Sequence, residues 1–355
     1  MPEDSHDAQE PCATHGSDSR DAQEIRTRKE TRCSWKTVAR IFESCREDRL
    51  PASRAGRVAV AQEAGAACTE VSESRARRIP FSVEMFPPKG QLTLDAARKV
   101  VEGLRAASPD FISVTCSAGG SGNGHGGQTV AIAELIQNEA ATPAVAHFTC
   151  VSATASLVAT EVEALRAAGV ETVLALRGDL APGQEPADFR YAYELIPRLK
   201  AAGLCVGAAA YPEGHIDCLD PRENIRHLRA KQDAGADFFI TQLFFNNDDF
   251  YRFREAAESA GVAAPISCGI MPFLGKSQIQ RMVFLCGSSL PAPIIKLLAK
   301  YEDDPVALRQ AGIEYACNQL VDLGRHGVNG LHVYAMNQPD IACAAAEAVA
   351  AAGLR

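Results

Sequence analysis

Residues able to move protons or hold anions recur at one kind of place in this 355-residue chain, the end of a short β-like run. In IPFSVEMF (79–86), Phe81, Val83 and Met85 alternate with Ser82 and Glu84. Thr115 ends FISVTC (111–116), and His147 and Thr149 fall near the end of AVAHFTC (144–150). ETVLALR (171–177) finishes in Arg177-Gly178-Asp179, and LCVGAAAY (204–211) runs into Tyr211-Pro212-Glu213 with His215 just beyond. Gln242 falls in DFFITQLF (237–244). A carboxyl kept protonated by its surroundings serves as a general acid. Arginine and lysine hold phosphates, and a glutamine amide offers both a donor and an acceptor.

The elements that must position these residues alternate regularly from Ile79 onward. PISCGIM (265–271) and GLHVYAM (330–336) bring the β-like runs to eight. Between them lie alanine-rich helical segments such as LDAARKVVEGLRAA (94–107) and TEVEALRAAG (160–169). Strands alternating with helices imply parallel βαβ units with right-handed crossovers. Eight such units predict an α/β chain closed as a (β/α)8 TIM barrel, with extra helices, including 305–325, before the last strand. A doubly wound open sheet is the competing architecture. In a barrel the polar strand ends converge on the C-terminal rim, where function sits.

Composition narrows the rest. No apolar stretch is long enough to span a membrane. Residues 1–78 hold 14 acidic and 14 basic residues, so the net charge of −8 belongs wholly to 79–355. That acidic balance argues against nucleic-acid binding. Twelve cysteines include no C-x-x-C pair, and the start MPEDSHDAQE has no apolar signal segment. The expectation is a cytoplasmic protein whose thiols are reduced. Residues 1–78 are expected to be a poorly ordered extension with one short amphipathic helix at 34–49, its stripe being Trp35, Val38, Ile41, Phe42 and Cys45.

Two decoys are set aside. GGSGNGHGG (119–127) satisfies G-x-G-x-x-G, but no acidic residue ends the next strand to take a ribose, so it reads as a flexible rim loop. The eight histidines form no H-x-x-x-H pair, and no metal site is expected.

The runs FSVEMFPPK (81–89), LALRGD (174–179), AAAYPEGH (208–215), KQDAGADFFITQLFF (231–245) and HVYAMN (332–337) resemble the methylenetetrahydrofolate reductase family. PDFISVTCSAGG (109–120) and AHFTC (146–150) fit the same pattern in order. The resemblance covers 79–355 and suggests the short prokaryotic form. It implies a flavoenzyme whose FAD reduces 5,10-methylenetetrahydrofolate to 5-methyltetrahydrofolate, with NADH or NADPH as electron donor.

By this resemblance Glu84 is the general acid on folate N10, aided by the apolar Phe81, Met85 and Phe86. Asp179 tunes the electrostatics of flavin and iminium. Thr115, Ala118, His147, Arg177, Gly178, Asp179, Tyr191, Ala192, Tyr211, His215 and Lys231 match cofactor-binding positions. Lys231 has a second reading as a Schiff-base lysine, though its helical run favours phosphate contact. Glu84, Gln242 and Gln278 match the substrate side; for the glutamines, satisfaction by backbone is the plainer alternative. The chain departs from the pattern at Cys116, His227, Ala230, Met282 and Gln338. These departures bear on the electron donor, and a reductase subunit fed by a partner protein is the alternative. A homo-oligomer is also what the resemblance suggests.

Overall fold

A computed structural model describes residues 37–47, 78–87, 94–116, 127–180 and 183–355. Eight parallel strands pair in chain order and close on themselves. They are β1 (Phe81–Met85), β2 (Phe111–Val114), β3 (Ala144–Thr149), β4 (Thr172–Leu176), β5 (Cys205–Ala210), β6 (Phe238–Thr241), β7 (Ile266–Ile270) and β8 (Gly330–Tyr334). The closing pair sets Phe81 against Leu331 and Glu84 against Tyr334. The expected barrel is therefore the observed one, with each expected strand trimmed by one to three residues at an end.

Helices cover the outside. α2 (Leu94–Arg105) follows β1, and α3 (Gly127–Glu134), continued by a π-helical turn Leu135–Glu139, follows β2. α4 (Ala155–Ala167), α5 (Ala192–Ala201), α6 (Pro221–Asp233) and α7 (Asn247–Ser259) follow β3 to β6. Three helices, α8 (Lys276–Cys286), α9 (Ala292–Lys300) and α10 (Pro305–Arg325), fill the stretch between β7 and β8. α11 (Pro339–Ala351) completes the ring. Their starts are written locally. Asp220 accepts from Arg222 N–H ahead of Pro221, Thr154 accepts from Leu157 N–H, and Asp304 accepts from Ala307 N–H ahead of Pro305.

The period of two along each strand sorts the core into two parts. Outward residues such as Phe81, Val83, Met85, Ile112, Val114, Val206 and Val333 pack under the helices. Inward residues form the lumen, and its lower part is a separate apolar cluster of Phe111, Val145, Leu174, Cys205, Phe238 and Ile240. Into that cluster fits one further helix, α1 (Val38–Glu47), through Val38, Ile41 and Phe42. Four members of the expected stripe, Val38, Ile41, Phe42 and Cys45, are buried; Trp35 lies outside the described residues. Because Phe111, Cys205 and Phe238 each begin a strand, α1 closes the N-terminal mouth of the barrel. Burying each of its large apolar side chains contributes roughly 1.5–3 kcal/mol.

Candidate active site

The chemistry sits at the opposite mouth. β1 turns Glu84 inward, where two imidazoles meet it. His147 Nε2, from β3, lies 3.5 Å from Glu84 Oε2, and His332 Nε2, from β8, lies 4.0 Å away. Ser82 Oγ and His332 Nδ1 are 2.7 Å apart, which anchors the far side of the His332 ring. Both Nε2 atoms are buried without a hydrogen-bond partner. Such orphaned polar atoms are uncommon inside proteins and mark places where a proton or a ligand atom is to be met. Burial pulls the His147 pKa down, and the nearby His332 adds to this against the attraction of Glu84.

One expectation about Glu84 is corrected here. Phe81 and Met85 are not its neighbours, because strand alternation sends them outward under the helices. Phe86 does share a cavity with Glu84.

Two cavities open at the rim. The first, about 590 Å³, is lined by Arg177, Tyr191, Ala192, Tyr211, His215 and Lys231, six of the residues matched to cofactor positions. Tyr191 and Ala192 are placed by the start of α5, where Glu194 Oε2 accepts from Arg190 N–H (2.6 Å) and Tyr191 N–H (3.2 Å). Lys231 comes from α6; its Nζ donates to Ala209 O (2.8 Å) and stands 5.2 Å from the Tyr211 ring centre. Burial, with the Arg177 charge adding, pushes Lys231 down to about 8. Arg177 pairs with the more exposed Asp217 (2.6 Å), whereas Lys231 has no carboxylate partner among the described residues. A half-buried cation with no carboxylate partner among the described residues, in a concave site, fits an anionic ligand.

The second cavity, about 550 Å³, is lined by Glu84, Phe86, Gln242, Gln278, Arg281, Met282, Tyr334 and Met336, among others. It thus gathers the three residues matched to the substrate. Gln242 Oε1 accepts from Leu243 N–H (2.9 Å). Gln278 is more fully engaged: Oε1 accepts from Leu274 N–H (2.9 Å), and Nε2 donates to Met336 Sδ (3.3 Å). The wall at Met336 is held in an unusual backbone state, with Met336 at φ 51° and Asn337 at φ 57°. Asn337 fixes that turn by accepting from Phe86 N–H (3.0 Å) and donating to Phe86 O (2.8 Å), so the ends of β1 and β8 are clasped together. Strain of this kind persists only where its surroundings enforce it, and it clusters at functional sites.

Asp179 lies within electrostatic reach of both cavities. Burial pushes the Tyr211 hydroxyl of the first up to about 12 and the Cys286 thiol of the second up to about 11, and the Asp179 carboxylate adds to both. Its turn depends on Gly178, at φ 82°, where a Cβ would come within 3.0–3.3 Å of Thr149 and Val151. Thr115 stands at the β2 rim, its N–H bonded to Met85 O (3.0 Å). Thr115, His147, Gly178 and Asp179 line neither cavity directly, and Ala118 lies outside the described residues.

The departures also have places. Met282 lines the second cavity, and Gln338 accepts from Arg309 (2.8 Å), so a guanidinium from α10 reaches the Gln338 amide. His227 joins Tyr191 and Tyr193 in a ring cluster, 5.2 and 6.0 Å between centres, beside the first cavity. His332 and Ser82 join the site although the sequence pattern gave neither of them a role. Their signal was spacing: each sits two residues before a rim residue, Tyr334 and Glu84, and so faces the same lumen. Among the described residues no group of acidic, histidine and cysteine side chains could hold a metal ion, and no helix is long and apolar enough to cross a membrane.

Fold and rim together define a (β/α)8-barrel protein with two cavities at the C-terminal ends of its strands. Residues 70–349 match the family model described as methylenetetrahydrofolate reductase. The chain belongs to the methylenetetrahydrofolate reductase family. It is 30% identical over 268 residues to the Escherichia coli protein named 5,10-methylenetetrahydrofolate reductase, covering 75% of this chain and 89% of that one. It is 30% identical over 276 residues to methylenetetrahydrofolate reductase (NADH) 1 of Arabidopsis thaliana, covering 72% of this chain and 46% of that one. The chain thus spans about half the length of its plant relative. In fold it is similar to a Clostridium thermocellum protein described as binding two copies of 5-methyl-5,6,7,8-tetrahydrofolic acid, with TM-score 0.53 and 14% identity over 77% of this chain and 96% of that one.

Proposed function

We propose that this chain reduces 5,10-methylenetetrahydrofolate to 5-methyltetrahydrofolate, with FAD held in the first cavity and the folate in the second. The observation that supports the reading is that Glu84 lines the second cavity together with two amides, Gln242 and Gln278, while Lys231, with no carboxylate partner among the described residues, lines the first. Lys231 and Arg177 would hold the diphosphate, and Tyr191, Ala192, Tyr211 and His215 the rest of the dinucleotide. When bound, FAD supplies hydride transfer from NADH or NADPH to the folate. The name of the Arabidopsis relative favours NADH.

The side chains of this protein then have separable tasks. Glu84 holds a proton and delivers it to folate N10, opening the five-membered ring to an iminium cation. His332, anchored by Ser82, and His147 surround the carboxyl and fix where it points. The Asp179 charge stabilises the cation as it forms. Gln242, with Oε1 on Leu243 N–H, presents its Nε2 donor to the pterin. Gln278, tied to Leu274 and Met336, shapes the wall. Replacing Glu84 by glutamine keeps the shape and removes the acid. The Glu84→Gln protein is expected to retain FAD while folate turnover falls about a thousandfold. A fully active variant would sink the assignment.

A second reading, electrons delivered by a partner protein, draws on the exposed apolar residues Ile216, Leu219, Phe284 and Leu285. They flank residues of both cavities, His215 and Cys286. NADH oxidation by the isolated chain with menadione as acceptor separates the two: rapid oxidation supports the direct donor, and none supports the partner.

A further inference from the structure

The lumen between the two mouths is spanned by a column of rings. At its foot, Phe42 of α1 packs on Phe238 (centres 5.6 Å apart) and edge-on against Phe111 (6.4 Å). Phe111 and Phe238 also meet (6.3 Å). Above them His332 stacks on Phe111, with centres 6.2 Å apart and planes 19° from parallel. Tyr334 meets the His332 ring edge-on at 5.2 Å. The column ends at Glu84, 4.0 Å from His332 Nε2.

His332 is fully buried, and among the described residues its one side-chain hydrogen bond is that between Nδ1 and Ser82 Oγ, with Glu84 standing 4.0 Å from Nε2. The ring turns about its Cβ–Cγ bond, and the Ser82 contact at Nδ1 restrains that turn from one side only. Packing must resist the rest of the movement, and Phe111 supplies the face against which the imidazole lies. Phe111 in turn is backed by Phe42 and Phe238. The barrel wall is cut to admit this arrangement. A Cβ on Gly330, two residues before His332, would come within 2.8 Å of the Phe42 ring. A Cβ on Gly207 would come within 2.4 Å of the Phe238 ring. Both positions are glycine, so the rings occupy the space a side chain would have taken.

We infer that α1 is a positioning element for the proton donor. Phe42, acting through Phe111, holds the His332 imidazole in the plane that faces Glu84. This rests on the proposed role of Glu84. Phe42 touches neither cavity, so it is a positioning residue and not a catalytic one. A helix that merely stoppered the barrel would stabilise every activity of the protein alike. A helix that sets His332 affects the folate step selectively, because displacing a group by about 1 Å can slow its own step by up to about a hundredfold.

The test uses the full chain loaded with FAD, as wild type, Phe42→Ala, Phe42→Leu and Phe111→Leu. Phe111→Leu breaks the same column while leaving α1 intact, and it decides the question if Phe42→Ala does not fold. The first readout is the imidazole signals of ¹⁵N-histidine-labelled protein, with His332 assigned by its loss in His332→Gln. The second is single-turnover flavin reduction by NADH and its reoxidation by methylenetetrahydrofolate. In Phe42→Ala and Phe111→Leu the His332 signals shift, and reoxidation slows about tenfold while reduction stays within about twofold. Phe42→Leu, which refills the floor, restores both. Unmoved His332 signals in folded variants, or equal losses in the two half-reactions, would overturn the inference. If wild-type protein shows no flavin chemistry, the functional reading fails, and the histidine signals still decide whether α1 orients His332.

Discussion

The two mouths of this barrel are built from the same eight strands and opposite chemistry. At the N-terminal mouth, Phe111, Val145, Leu174, Cys205 and Phe238 turn inward and are sealed by Val38, Ile41 and Phe42 of α1. At the C-terminal mouth the same inward positions carry Glu84, His147, Gln242 and Tyr334, and two cavities stand open. Two to four residues separate the regimes, as from Val145 to His147 and from Phe238 to Gln242. The lower layer packs apolar side chains together; the upper layer turns polar side chains toward open cavities. The contrast teaches that, in a barrel, stability and chemistry are divided by depth along the strand, and His332 stands at the boundary, stacked on the apolar floor and facing the acid.

Perturbing each layer separately sharpens the contrast. In the floor, Ile41→Ala is expected to cost about 2–5 kcal/mol of stability, the range for truncating a buried isoleucine. Chemical denaturation checks this, and FAD affinity measured on the folded variant is expected to be unchanged. A large loss of affinity would dissolve the division between mouths. In the rim, Asp179→Asn keeps the side-chain shape and removes the charge. Reoxidation of the flavin by folate is expected to slow about a hundredfold with little change in melting temperature.

The smallest effect concerns pH. Burial holds Lys231 at about 8 in the folded protein, so its positive charge is present below that pH and lost above it. An anionic ligand binds the charged form, and its affinity therefore falls as pH rises through 8, by up to about tenfold per pH unit for one proton. The contribution to stability runs the other way. The unfolded lysine stays protonated to about 10.4, so the unfolded chain binds more protons between 8 and that value, and folding stability rises with pH there. Titration of inorganic pyrophosphate into the flavin-free protein at pH 7 and pH 9 reads the effect, and Lys231→Met should flatten it.

Much of this arrangement was legible in the residues. Period-two alternation in FSVEM placed Glu84 inward and the aromatic and aliphatic residues outward, and β1 follows it. The same rule, applied to HVY, puts His332 and Tyr334 on one face, but only closure of β8 on β1 brings that face to Glu84. A contact between residues 248 positions apart is set by topology, and no local pattern announces it. The stripe of Val38, Ile41, Phe42 and Cys45 marked a helix with one apolar face. What that face covers could not be read, because its partners are spread over five strands. The role of Phe81 and Met85 beside Glu84 was misjudged by nearness in sequence, when neighbours on a strand point apart.

The visible spectrum of the purified protein is the most direct test of FAD-dependent folate reduction. Flavin absorbance, as purified or after reconstitution with FAD, is expected to bleach anaerobically on addition of NADH and to return on addition of 5,10-methylenetetrahydrofolate. Protein that stays colourless after reconstitution, or a reduced flavin that the folate leaves bleached, would contradict it.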